Sequence, residues 1–137
     1  MKIQIKNKIK NSPSLNQTLS KLEQELATLL SNHPPLDVVI PIEIRNSPSL
    51  FSRIRRFLKT FSFKSFKPAD GATLRFPHRK IVLYKKALKG DFTRLMHIVL
   101  HEIGHFLDFD YKNQSQREKR ADEFAEKFGY GHSSLRK

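Results

Sequence analysis

Leu15, Leu19, Leu22, Leu26, Leu29 and Leu30 recur at three- and four-residue intervals. That is the period of one helix face, and it predicts a helix over about residues 14–31 that Pro34 and Pro35 stop. Before it, Met1 to Lys10 alternates isoleucine with polar residues, which suits an edge strand or a basic flexible tail within residues 1–12. After it, Leu36 to Arg45 is rich in valine and isoleucine and reads as a strand. Pro41 has no N–H to give a ladder, so it puts that strand at a sheet edge or a bulge. Ala72–Phe76 and Lys80–Tyr84 read as two antiparallel strands joined near Pro77 and His78.

The helical period returns after Gly90. Asp91 can N-cap a helix reaching about Phe109, with Phe92, Leu95, Met96, Val99, Ile103 and Leu107 as its core stripe. Arg94, His97, Ile98, His101 and His105 fall on another face. A second helix follows over about 117–128. Ala121, Phe124, Ala125 and Phe128 form its buried stripe, while Lys119, Arg120, Glu123, Glu126 and Lys127 point outward. The short connection around Lys112-Asn113-Gln114 makes these two helices antiparallel neighbours. There is no internal repeat. The order predicts one α+β domain over residues 1–137: an N-terminal helix, a small, mainly antiparallel sheet, and two antiparallel helices.

Residues 101–105 read His-Glu-Ile-Gly-His. Histidines four apart share one helix face, so His101 and His105 can reach a single zinc ion. Glu102 beside them can take a proton from water on that ion. The plain alternative is an amphipathic helix with two solvated histidines. Gly104 costs the helix about 1 kcal/mol relative to alanine and lets a backbone or a ligand come close.

A catalytic zinc site needs a third protein ligand. A histidine at 111 with glycine at 108 would supply it nearby, but the chain has Tyr111 and Asp108. Glu118 and Asp122 lie one turn apart on the second helix. Across an antiparallel pair, Glu118 falls level with His105 and Asp122 with His101. Glu118 is then the favoured ligand, with Asp122 free to accept a hydrogen bond from the distal nitrogen of His101. Asp122 stays open as the alternative ligand. Ser115-Gln116-Arg117-Glu118 also fits a capping box, an ordinary use for Glu118.

His101–His105 followed by Glu118-Lys119-Arg120-Ala121-Asp122-Glu123-Phe124-Ala125 resembles the gluzincin zinc metallopeptidases over about residues 70–128. It is most similar to the minimal M48-like and the ImmA/IrrE-type metallopeptidases. The resemblance implies a zincin-like domain and a zinc endopeptidase. It implies His101, His105 and Glu118 as ligands, Glu102 as general base and acid, and Asp122 beside the ligands. The anthrax lethal-factor type is similar through residues 101–108 and Phe124-Ala125-Glu126, and its register makes Asp122 the ligand. In such enzymes an edge strand over the zinc holds an extended substrate, and Lys80–Tyr84 or the strand before it is the candidate.

Charge adds a second line. The 137 residues carry a net +13, which attracts nucleic acid, anionic membrane or an acidic partner. Within 47–68, Arg53, Arg55, Arg56, Lys59, Lys64 and Lys67 interleave with five phenylalanines. That basic insertion can grip phosphates and stack on bases, lie on an anionic surface, or lid the cleft. It supports an alternative function, a nucleic-acid-associated regulatory protein whose zinc site is structural or vestigial. Tyr130 and His132 are candidates to stabilise an oxyanion, although Gly129 and Gly131 also suit a helix stop. A latent protease is a third option, with the segment before residue 36 blocking the cleft. No cysteine is present and no apolar run approaches a membrane span, which leads us to expect a cytoplasmic protein.

Overall fold

The fold is described from a computed structural model, which covers residues 1–9, 12–34, 37–46, 71–74, 79–108 and 113–131. The basic insertion with Arg53, Arg55, Arg56, Lys59, Lys64 and Lys67 lies outside the described residues, as does His132. Eight elements follow in order: β1 (Lys2–Asn7), α1 (Pro13–Leu30), β2 (Val39–Arg45), β3 (Gly71–Leu74), β4 (Lys80–Tyr84), α2 (Lys85–Leu88), α3 (Phe92–Leu107) and α4 (Gln114–Lys127). The described residues thus form an α+β arrangement of four helices and a mixed four-stranded sheet.

The strand order is β1-β2-β4-β3. The expected hairpin is present, with β3 antiparallel to β4 and Thr73 opposite Ile81. The sheet as a whole is not mainly antiparallel, however. β1 runs parallel to β2, and β2 parallel to β4. The reason is connectivity: α1 carries the chain back across the sheet between β1 and β2, and only a crossover of that kind joins parallel neighbours. Lys2–Asn7 accordingly forms a strand at the sheet edge among the described residues, the first of the two alternatives.

β2 is an inner strand, which corrects the edge placement that Pro41 suggested. The Lys2 amide donates to the Val38 carbonyl and the Lys8 amide to the Ile44 carbonyl, so even-numbered positions of β2 face β1. Pro41 therefore turns its missing donor toward β4. The β4 ladder begins only at Ile42 opposite Ile81, one residue later. β4 is also paired on both sides, so it offers no edge to a substrate; β3 pairs only with β4 among the described residues.

One face of the sheet carries Ile40, Ile42, Ile44, Ile81 and Leu83 into a common core with Leu22, Leu26 and Leu30 of α1 and Leu95, Met96, Val99 and Ile103 of α3. α1 is thus a wall of the core. It is not a detachable plug, so removal of residues before 36 would open the core where the latent-protease option expects activation. The opposite face of β2 holds Glu43, 5% exposed, in contact with Lys8 (2.7 Å), Lys80 (2.8 Å) and Arg45 (3.2 Å). No helix among the described residues is long and apolar enough to cross a membrane.

Candidate metal centre

α3 begins as its sequence requires. Asp91 caps it, accepting from the Thr93 amide, and the stripe of Leu95, Met96, Val99 and Ile103 is fully buried. The opposite histidine face is covered too: His97 and His105 are both buried, because α4 packs over them. Gly104 makes that packing close. A Cβ placed there would sit 2.9 Å from the Ala121 Cα and 3.2 Å from the Phe124 Cβ. The glycine admits a neighbouring backbone, the first of the two uses its position allows.

α4 starts at Gln114, with Asn113 as N-cap accepting from the Gln116 amide. The capping box from Ser115 to Glu118 therefore does not form, because the helix has already begun. Glu118 reaches the histidines instead. Asp108 ends α3 and takes an ion pair from Arg120 Nε of α4 at 2.7 Å, so the residue that departs from the third-histidine pattern ties the two helices together. At the far end of α4, Gly129 adopts φ of +85° and closes the helix, the role expected of a glycine just past a helix terminus.

Four ligand-type atoms from three residues converge between α3 and α4. His101 Nε2 lies 3.1 Å from Glu118 Oε2, His105 Nε2 lies 3.2 Å from Glu118 Oε1, and the two Nε2 atoms are 3.1 Å apart. On the other side of the ring, His101 Nδ1 donates to Asp122 Oδ1 at 2.8 Å. A carboxylate only accepts, so Nδ1 carries the proton of this contact, and Nε2 is the nitrogen that faces the cluster. His105 Nδ1 is buried without a hydrogen-bond partner.

Such a set suits a cation. Zinc bonds imidazole nitrogen and carboxylate oxygen at about 2.0–2.2 Å, which in a tetrahedron separates the ligand atoms by about 3.3 Å. The observed separations need little change to reach that spacing. His101, His105 and Glu118 could therefore hold a metal ion; His97, His101 and Asp122 form a second such group.

Glu102 shares an open cleft with His97, Ile98, His101, Glu118 and Asp122. Thr73 of β3 meets it, its hydroxyl 2.6 Å from Glu102 Oε2 and 3.0 Å from the Glu102 carbonyl. One hydroxyl proton serves one of these acceptors at a time, and the short contact to the carboxylate is the stronger. Thr73 was not singled out from the sequence. Thr73 lies opposite Ile81 in the strand pair, and β3 packs on α3, a placement that spacing within the strand does not record. Tyr130 is committed elsewhere. Its hydroxyl donates to Glu25 of α1 at 3.2 Å, and its carbonyl accepts from His97 Nδ1 at 2.6 Å. Burial and the Glu25 carboxylate both raise the phenol above its ordinary pKa, which keeps that proton in place.

No protein-family model matches the chain, and no curated protein matches it in sequence.

Proposed function

We propose that this protein is a zinc-dependent endopeptidase of the gluzincin type. The observation that carries the reading is the convergence of His101 Nε2, His105 Nε2 and the two carboxylate oxygens of Glu118, with Glu102 held beside them by Thr73. His101, His105 and Glu118 would hold the ion, and Asp122 fixes the ring of His101. Zinc, when bound, supplies a Lewis acid that polarises the scissile carbonyl and makes water acidic.

The chain's own residues do the proton work. Glu102 takes a proton from the attacking water and later gives it to the leaving amine. Thr73 holds one carboxylate oxygen of Glu102, leaving the other to face that water. β3 runs beside the motif helix with one side unpaired among the described residues, so an extended peptide can add to it by main-chain hydrogen bonds. The net charge of +13 favours a second reading, a nucleic-acid-associated protein with a structural metal. A structural site has no use for a carboxylate tethered in the cleft, and this supports the first.

The test is hydrolysis of a mixed peptide pool by zinc-loaded wild type and by Glu102→Gln, followed by mass spectrometry. Cleavage that a chelator and Glu102→Gln both abolish is expected, with zinc content unchanged by the substitution. Salt-sensitive DNA binding with no cleavage in either protein would overturn the reading and favour the second.

A further inference from the structure

We propose that the β1 side of the outer sheet face binds the phosphate backbone of a nucleic-acid duplex. β1 alternates: Ile3 and Ile5 pack against the core, while Lys2, Gln4 and Lys6 are exposed on the other side. Lys8, also exposed, continues the row just past the strand end. Outward positions on a strand recur about every 6.6 Å, so these side chains form a straight row of donors. Inner strands add cations to the same face. Lys6 stands opposite Glu43 in register, and Glu43 draws Lys8, Arg45 and Lys80 around its buried carboxylate. Glu43 is the only acidic residue in the four strands. Five cations, Lys2, Lys6, Lys8, Arg45 and Lys80, therefore share one anion, and Lys2 and Lys6 form no ion pair among the described residues.

Lysine on an edge strand also discourages pairing with another chain. That explains charge on β1, but Arg45 and Lys80 come from β2 and β4, which are paired on both sides. The chemistry of the face selects the polyanion. A regular row of donors suits regularly spaced charges, which a nucleic-acid backbone has and a folded acidic protein lacks. A membrane would need apolar side chains to insert, and Val39, 48% exposed, is the only exposed large hydrophobic among the described residues. Tyr84 is the only aromatic residue in the four strands, so single-stranded bases find no row of rings to stack on. A duplex, its bases already stacked, is the form that fits, and it is held without regard to sequence. The face is separate from the metal centre, because α1 and α3 pack on the opposite side of the sheet.

The test is fluorescence anisotropy of a short labelled DNA duplex with the full-length protein across a salt series. Wild type is compared with Lys2→Gln/Lys6→Gln and with Lys86→Gln/Lys119→Gln, which removes the same charge from exposed positions on α2 and α4. Each lost phosphate contact lowers the slope of log affinity against log salt by about 1. The first pair should therefore lower the slope by about 2, whatever the duplex sequence, and the second by well under 1. Both pairs replace exposed side chains, and an unchanged thermal midpoint verifies that the fold is kept. Equal slopes in the two double variants would mean that net charge alone attracts DNA, and would overturn the proposal. So would a wild type that binds phosphatidylserine vesicles and not the duplex. Neither result bears on peptide cleavage, which is read separately with Glu102→Gln.

Discussion

Gly104 decides how near α3 and α4 can come, and with it whether Glu118 reaches the histidines. An alanine there would press against the backbone of Ala121 at 2.9 Å. Overpacking of this kind costs about 1–3 kcal/mol, more than the roughly 1 kcal/mol an alanine returns in helix propensity. We expect Gly104→Ala to lower the thermal midpoint and weaken zinc binding together. A variant that is more stable and binds zinc equally well would contradict the packing argument. Thr73→Val tests the tether on Glu102. Losing a hydrogen bond to a charged group removes about 1.5–3 kcal/mol, so turnover should fall by roughly tenfold to a hundredfold with zinc content unchanged. These two residues differ in how visible they were. Gly104 stood out within a helical motif, whereas the role of Thr73 depends on which strand reaches α3, and no local pattern shows that.

The three long helices were legible because each repeats its apolar residues at the helical period, and Asp91 marked the start of α3; α2, a single turn over Lys85–Leu88, is too short to show a period and was not expected. Even the level pairing of Glu118 with His105 and Asp122 with His101 followed from a short connection between two helices. The sheet was less legible. A strand's direction relative to its neighbours depends on where the chain travels between them, and spacing within the strand does not record that. Glu43 escaped notice for the same reason. It sits mid-strand, and only the parallel pairing brings Lys8 and Lys80 to it from both neighbours. Lys8 and Lys80, with Arg45, hold its carboxyl well below the usual carboxylate range, and burial opposes them. A carboxyl depressed in the folded state stabilises fully above its ordinary value of 4.5, and that contribution is lost as the pH falls toward the folded value. Wild type should therefore lose stability progressively below about pH 4.5, and Glu43→Gln should show a shallower slope there with a lower midpoint at neutral pH. Parallel curves for the two proteins from pH 2 to 7 would show that the cluster contributes nothing.

Across the whole molecule, the N-terminal third is structural. β1 forms a sheet edge, and α1 places Leu22, Leu26 and Leu30 in the core with no exposure. α1 and the turn after it also meet the end of α4 and the turn that follows, through Glu25 with Tyr130 and through His33 with Phe124 and Phe128. Deleting residues 1–35 should thus abolish cooperative unfolding and zinc binding alike; a folded truncated chain with raised activity would restore the latent-protease option. The net charge of +13 makes attraction to polyanions a separate expectation, independent of the proposed metal site. The most direct measurement is zinc per chain by elemental analysis, with stoichiometric zinc supplied, on wild type, Glu118→Ala and Asp122→Ala. We predict about one zinc in wild type, its loss in Glu118→Ala, and retention in Asp122→Ala with affinity reduced by about 10–100-fold. No zinc in wild type, or full retention in Glu118→Ala, would contradict the account.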